Sequence, residues 1–264
     1  MNELAAEAPI AYVLKSVSNG IVTLTLNRGD KFNPLSEQML AALQEELNHV
    51  AQDAGVRVVV LAAAGKAFCA GHDLKQMRAA PSADYYKTLF NQCSKLMLTI
   101  QKMPQPVIAR VQGIATAAGC QLVAMCDLAV ASSDAKFAVS GVNYGLFCST
   151  PSVALSRNVS RKQAMEMLLT GEFIDAQTAK EQGLVNRVVA ADWLDAEIEK
   201  LCAAILAKPA VAVSMGKQLF YQQIEMGIAA AYQLAGQTMA CNMMDEAALE
   251  GVQAFVEKRQ PDWK

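Results

Sequence analysis

Hydrophobic and polar positions alternate from the first ordered-looking stretch of the chain. AYVLKSV and IVTLTLN flank Ser18, Asn19 and Gly20. That pattern predicts a hairpin, because asparagine and glycine accept the left-handed backbone of a tight turn. NRGDKFNP then breaks the alternation. In LSEQMLAALQEELNHVAQD the apolar residues recur at helical spacing behind Ser36 and Glu37, so a helix is expected. VRVVVLAAA, at 56–64, is an unbroken apolar run of strand length, as in a parallel strand covered on both faces. GKAFCAGHD reads as a loop, with DLKQM opening a short helix. DYYKTLFNQCSKLMLTIQKM predicts a long amphipathic helix stopped by Pro104.

PVIARVQGIAT reads as strand and AAGCQLVAMCD as a short helix ending at Asp127. LAVASS, KFAV and LVNRVV are further strands, and STPSVALSRNV, SRKQAMEMLLTG and DAQTAKEQG are short helices. The unit of strand, loop and helix recurs without an exact repeat. From about Trp193 the pattern is helical almost throughout. The chain therefore divides into an α/β core at 1–195 and a helical region at 196–264. That tail is rich in Met and Ala and needs something to pack on, so a neighbouring subunit is expected.

Composition narrows the function. The 264 residues are 53% hydrophobic but only 6% aromatic, enough for a large core of small and aliphatic side chains. Lys+Arg 23 against Asp+Glu 25 gives a net charge of -2 and no dense basic stripe, so neither nucleic acid nor an anionic membrane surface is expected as a partner. A few local cations would still suffice for one phosphate-bearing metabolite. Seven cysteines without a C-x-x-C pair point to free thiols. VQGIATAAGCQLVAMC is too short and too interrupted to span a bilayer. MNELAAEAPIAYVL has no basic leader with an apolar run behind it, and a cytoplasmic protein is expected.

Two loops with small residues follow buried strands: GKAFCAGHD at 65–73 and GIATAAGCQ at 113–121. Small residues let backbone N–H groups approach a ligand, and the second loop opens straight into a helix. Two such N–H groups converging from different loops make an oxyanion hole. Neither loop fits a dinucleotide or P-loop pattern. Of the two histidines, His49 falls on the polar side of a helix. His72 either meets a substrate or caps the helix after Asp73. Two histidines and scattered thiols make no metal site. Cys69, Cys120 and Cys126 read as buried, inert thiols; Cys148 stands in a turn-like segment. Asp127 reads as an anchor for the strand after it.

Several ordered segments resemble the enoyl-CoA hydratase/isomerase, or crotonase, family over nearly the whole chain. They are IVTLTLNRGDKFNPL at 21–35, AAGKAFCAGHDLKQM at 63–77, V-x-G at 111–113, A-x-G-C-x-L-x-x-x-C-D at 117–127, A-x-F at 135–137 and the ending FVEKRQPDW. GVNYGLFCSTPSVALSR marks a divergent branch. The resemblance implies an α/β superhelix of ββα turns with a helical C-terminal trimerisation region, as a homotrimer or a dimer of trimers. It implies acyl-CoA thioesters as substrate or ligand, no prosthetic group, and an enolate held by the backbone N–H groups of His72 and Ala118. CoA contacts would fall on Lys31, Phe32, Lys66, Phe68, Ala70 and Lys258.

The family's two catalytic glutamates align with Gln121 and Gly141, and both acids are absent. A glutamine can hold water but cannot act as a carboxylate base, and a glycine offers only backbone. Asp73, Asp84, Tyr85, Tyr86, Asn143, Tyr144, Cys148 and Ser149 are the side chains left to search for a substitute. Three functions stay open: a weak hydratase or other enolate enzyme, a non-catalytic acyl-CoA binder or regulatory protein, and a thioesterase relying on Cys148 and Gln121.

Overall fold

The computed structural model describes residues 10–79 and 81–263. The predicted hairpin is β1 (Val13–Ser18) and β2 (Ile21–Leu26), antiparallel around Asn19 and Gly20, both at positive φ. α1 (Glu37–Gln52) is capped by the Ser36 hydroxyl, which accepts the Met39 N–H. β3 (Val58–Ala63) is buried along its whole length.

GKAFCAGHD is not all loop: Ala67–Cys69 is a strand, β4, of a second sheet. α2 (Leu74–Ala79) and α3 (Ala83–Lys102) follow. PVIARVQGIAT is likewise two strands, β5 (Val107–Val111) and β6 (Ile114–Thr116), in different sheets. Gly113 makes the crossing: a Cβ there would stand 2.0 Å from Lys66 O, so the two segments cross where only glycine fits.

α4 (Ala118–Met125) leads into β7 (Leu128–Ser132) and β8 (Lys136–Ala138). Next come α5 (Ser149–Leu155), α6 (Arg161–Thr170), β9 (Ile174–Asp175), α7 (Ala176–Glu181), β10 (Arg187–Val189) and α8 (Leu194–Leu206). α9 (Ala210–Gln223), α10 (Ile228–Met243) and α11 (Glu246–Val256) complete the chain.

Among the described residues, one sheet runs β1-β2-β3-β5-β7-β10 and the other β4-β6-β8-β9. Each turn therefore gives one strand to each sheet before its helix: β3 then β4, β5 then β6, β7 then β8. This is the ββα spiral that the resemblance implied. The two walls enclose a core of aliphatic side chains with Phe68 and Phe137, while Leu194, Ile198, Leu201 and Cys202 of α8 close the outer face of the first sheet over Val58, Val60, Ile108 and Val130. The parallel pairs β4/β6 and β6/β8 end side by side, and ligands of such sheets bind beyond the carboxyl ends of strands.

Candidate active site

The site begins with a buried asparagine. Asn33, fully buried at a φ of 51°, accepts the Arg28 N–H and donates to the carbonyls of Ala64 and Ala67. It thereby fixes the turn carrying Lys31 and Phe32 against the start of β4. Phe32 O in turn accepts the Ala70 N–H at 3.0 Å, and Gly71 O accepts the Leu35 N–H at 2.8 Å. The loop after β4 is thus held from one side by its own partners.

From the other side it meets the loop before α4. Gly71 has a φ of 87°, and a Cβ on it would lie 2.9 Å from Ala117 Cβ and 3.2 Å from Ala118 N. Only glycine lets the two loops touch there. Ala117 carries the strain of the arrangement, with φ 51° and ψ -121°, a conformation costing of order 1–3 kcal/mol for a residue with a side chain. Gly119 docks the helix on β4, since a Cβ would stand 2.1 Å from Cys69 O.

Ala118 is the first residue of α4, so its N–H has no acceptor within the helix. Among the described residues the His72 N–H donates to no backbone acceptor either. Both residues line a cavity of about 730 Å³, together with Lys31, Phe32, Ala70 and Gly141. Six of the expected site residues thus line one cavity.

The others do not join them. Phe68 is wholly inside the core and presents no surface to a ligand, which corrects its reading as a CoA contact. Lys66 is exposed but outside the cavity lining, and Lys258, exposed at a φ of 56° beyond α11, is outside it as well. Gln121 is buried one helical turn behind Ala118, with Oε1 unpartnered. Asp84, Tyr85 and Tyr86 are not in the lining; Phe90, one turn on, is. Asn143 lies outside it too, its amide directed to Gly171 O, whereas Tyr144, Cys148 and Ser149 are lining residues. Lys75, Met77, Thr116 and Ser140 also line it and were missed from sequence. Thr116 and Ser140 share a hydroxyl–hydroxyl hydrogen bond of 2.9 Å between neighbouring strand ends, a pairing that needs the sheet order to be seen.

The lining carries two carboxylates, Asp30 and Asp73. Asp73, and not His72, caps α2: its Oδ1 accepts the N–H groups of Lys75 and Gln76. Cys148 is buried, not in an open turn; burial raises its pKa although the Gly141 N–H donates to its sulfur at 3.3 Å. It is a neutral thiol at neutral pH, which removes the main support for a thioesterase.

A Cβ on Gly141 would stand 2.6 Å from Leu146 O and 2.7 Å from Cys148 Sγ. Sulfur and backbone already fill that space. Among the described residues no cluster of His, Cys, Asp and Glu could hold a metal, and no helix is long and apolar enough to cross a membrane.

His72 gives the site a pH response. Its Nδ1 lies 3.2 Å from Leu35 O, so Nδ1 carries the proton, while Nε2 is buried without a partner. Burial lowers its pKa below the ordinary 6.5, and the Leu35 carbonyl only partly opposes this. As pH falls past about 6.5 the unfolded chain takes up this proton first, so stability drops until the folded imidazole also titrates. The expected slope is up to about 1.4 kcal/mol per pH unit in that window, and flat above it. Urea unfolding at pH 8, 6.5 and 5.5 should show it. The same slope in His72→Gln would assign it elsewhere.

The family model for enoyl-CoA hydratase/isomerase matches residues 16–264. A Rattus norvegicus protein, enoyl-CoA hydratase domain-containing protein 3, mitochondrial, is 44% identical over 93% of this chain and 82% of its own length. The crystal structure of an enoyl-CoA hydratase from Mycobacterium smegmatis superposes with a TM-score of 0.94 at 66% identity, covering 96% of this chain and 98% of the other. That of human enoyl-CoA hydratase domain-containing protein 3 gives 0.93 at 44% identity, covering 96% and 100%. The expectation of a cytoplasmic protein is overturned by these relatives: the rat protein and its mouse and human counterparts are mitochondrial. The error was physical as well, because the lack of a basic leader in one stretch carries no information on compartment.

Proposed function

Since the chain belongs to the enoyl-CoA hydratase/isomerase, or crotonase, family, we propose that it binds acyl-CoA thioesters and stabilises their enolate through the N–H groups of His72 and Ala118. The observation that carries this reading is the contact of the two loops at Gly71, whose missing Cβ lets two unused donors converge on one cavity. A thioester oxygen between them gains negative charge as the α-carbon loses its proton. Each such donor is worth roughly 10²–10³ in rate. Lys31 and Lys75 are the cations in the lining that can meet CoA phosphates, with Phe32 and Ala70 beside them.

Hydration of the enoyl double bond is the weak side of this chemistry. It needs a group to activate water and one to protonate the α-carbon, and Gln121 and Gly141 supply neither. Asp73, the nearest carboxylate in sequence, is engaged by two backbone N–H groups. A second reading, an acyl-CoA binder without turnover, is favoured by the filled space at Gly141. The reading also includes a homotrimer or a dimer of trimers, supported by the exposed Ile228, Tyr232, Met239 and Phe255 of the C-terminal helices.

The test is mass spectrometry of trans-2-enoyl-CoA incubated with the protein in heavy water. The expected result is saturable binding, with 3-hydroxyacyl-CoA forming at least about 10²-fold more slowly than with a relative that has both glutamates. Hydration at the relative's rate would overturn the loss of acid–base catalysis. Failure to bind any CoA thioester would overturn the whole reading.

A further inference from the structure

Resting on the acyl-CoA reading, we infer that this site selects thioesters of medium to long hydrocarbon chains over short or carboxylate-ended ones. The acyl wall is built by Leu74 and Met77 of α2, Phe90 of α3, and Leu146 and Phe147 of the segment before α5. Leu74, Leu146 and Phe147 are each about half exposed despite lining a concave site (49%, 49% and 50%). Apolar surface of this kind is left in water by an empty site and covered by an apolar ligand.

The wall starts at the reacting end. Phe90 meets the His72 ring edge-on at 5.5 Å, which places it beside the reacting end of the cavity that both line. Tyr86 stacks on Phe90, and its hydroxyl donates to Met77 O at 3.1 Å, which ties α2 to α3. Two helices therefore hold the apolar face in shape.

Charge is kept off the 141–151 segment. The four charged lining residues are Asp30 and Lys31 on one turn and Asp73 and Lys75 at the start of α2. From Gly141 through Pro151 the lining has no cation, so a terminal carboxylate on the acyl chain would be desolvated there without a partner. A hydrocarbon end meets only favourable burial, worth about fourfold in affinity per methylene.

Isothermal titration with acetyl-, butyryl-, hexanoyl-, octanoyl- and adipyl-CoA decides the matter. The expected series tightens by about fourfold per methylene, giving roughly a hundredfold or more from butyryl- to octanoyl-CoA. Adipyl-CoA should bind at least about tenfold more weakly than hexanoyl-CoA. Phe147→Ala and, separately, Leu146→Ala should weaken octanoyl-CoA about tenfold more than acetyl-CoA, a ratio that a general folding defect would not change. Acetyl-CoA binding with a flat series, or adipyl-CoA as tight as hexanoyl-CoA, would overturn the inference and leave the acyl-CoA reading intact. No binding of any member would overturn that reading, and the inference with it.

Discussion

Replacing Lys217 with methionine should destabilise the protein by about 3–5 kcal/mol, the range for breaking a buried ion pair from one side. Lys217 Nζ donates to Ile100 O and Gln105 O at 2.8 Å and to Asp127 Oδ2 at 2.7 Å, with both side chains largely out of water. Asp127 also accepts the Val107 N–H and the Tyr221 hydroxyl. Burial lowers the Lys217 pKa, and Asp127 pulls it back up. One lysine thus joins α9 to the end of α3, to the approach to β5, and to the link between α4 and β7.

Methionine fills the lysine stem but leaves two carbonyls unpaired and the carboxylate short of its cation. The double variant Lys217→Met with Asp127→Asn removes the stranded charge and should recover a good part of the loss. Urea midpoints for the two variants measure this. A cost below about 1 kcal/mol for the single change would mean the pair is no stronger than a surface salt bridge.

That cluster marks where the sequence stopped being legible. Asp127 could be read as an anchor because it ends an apolar helix just before a strand. Lys217 could not: in PAVAVSMGKQLFYQQ it is an ordinary helical lysine, and its acceptors lie 117, 112 and 90 residues away. Strongly periodic segments such as those of α1 and α3, and the apolar run of β3, announced themselves because their own residues decide their burial. β4 did not, since three residues make no period and its strand character comes from pairing with β6. The two loops at 65–73 and 113–121 were legible as small-residue stretches after strands. Their contact through Gly71, the strain at Ala117 and the turn locked by Asn33 depend on backbone separations that spacing does not reveal.

Gln121 and Gly141 should respond in opposite ways to substitution by a carboxylate. Ala118 and Gln121 share one face of α4, and helical side chains lean towards the N-terminus, so the group at 121 leans back towards the donor end of the site. Its Oε1 is buried without a partner. Glutamate has the same shape as glutamine, and burial would raise its pKa towards the range of a general base. Gln121→Glu is therefore expected to fold and to speed α-proton exchange of octanoyl-CoA in heavy water by about 10²-fold over the unaltered protein.

Gly141→Glu should bring no gain and should cost about 1–3 kcal/mol, because its Cβ would overlap Leu146 O and Cys148 Sγ. Adding Cys148→Ala clears the sulfur and leaves the carbonyl, so that pair should also stay inactive. Mass spectrometry of the recovered thioester reads all three variants. A gain from Gly141→Glu equal to that from Gln121→Glu would mean that the 141–148 segment moves aside. The missing acids, and not the packing that replaced one of them, would then be the whole difference from a hydratase.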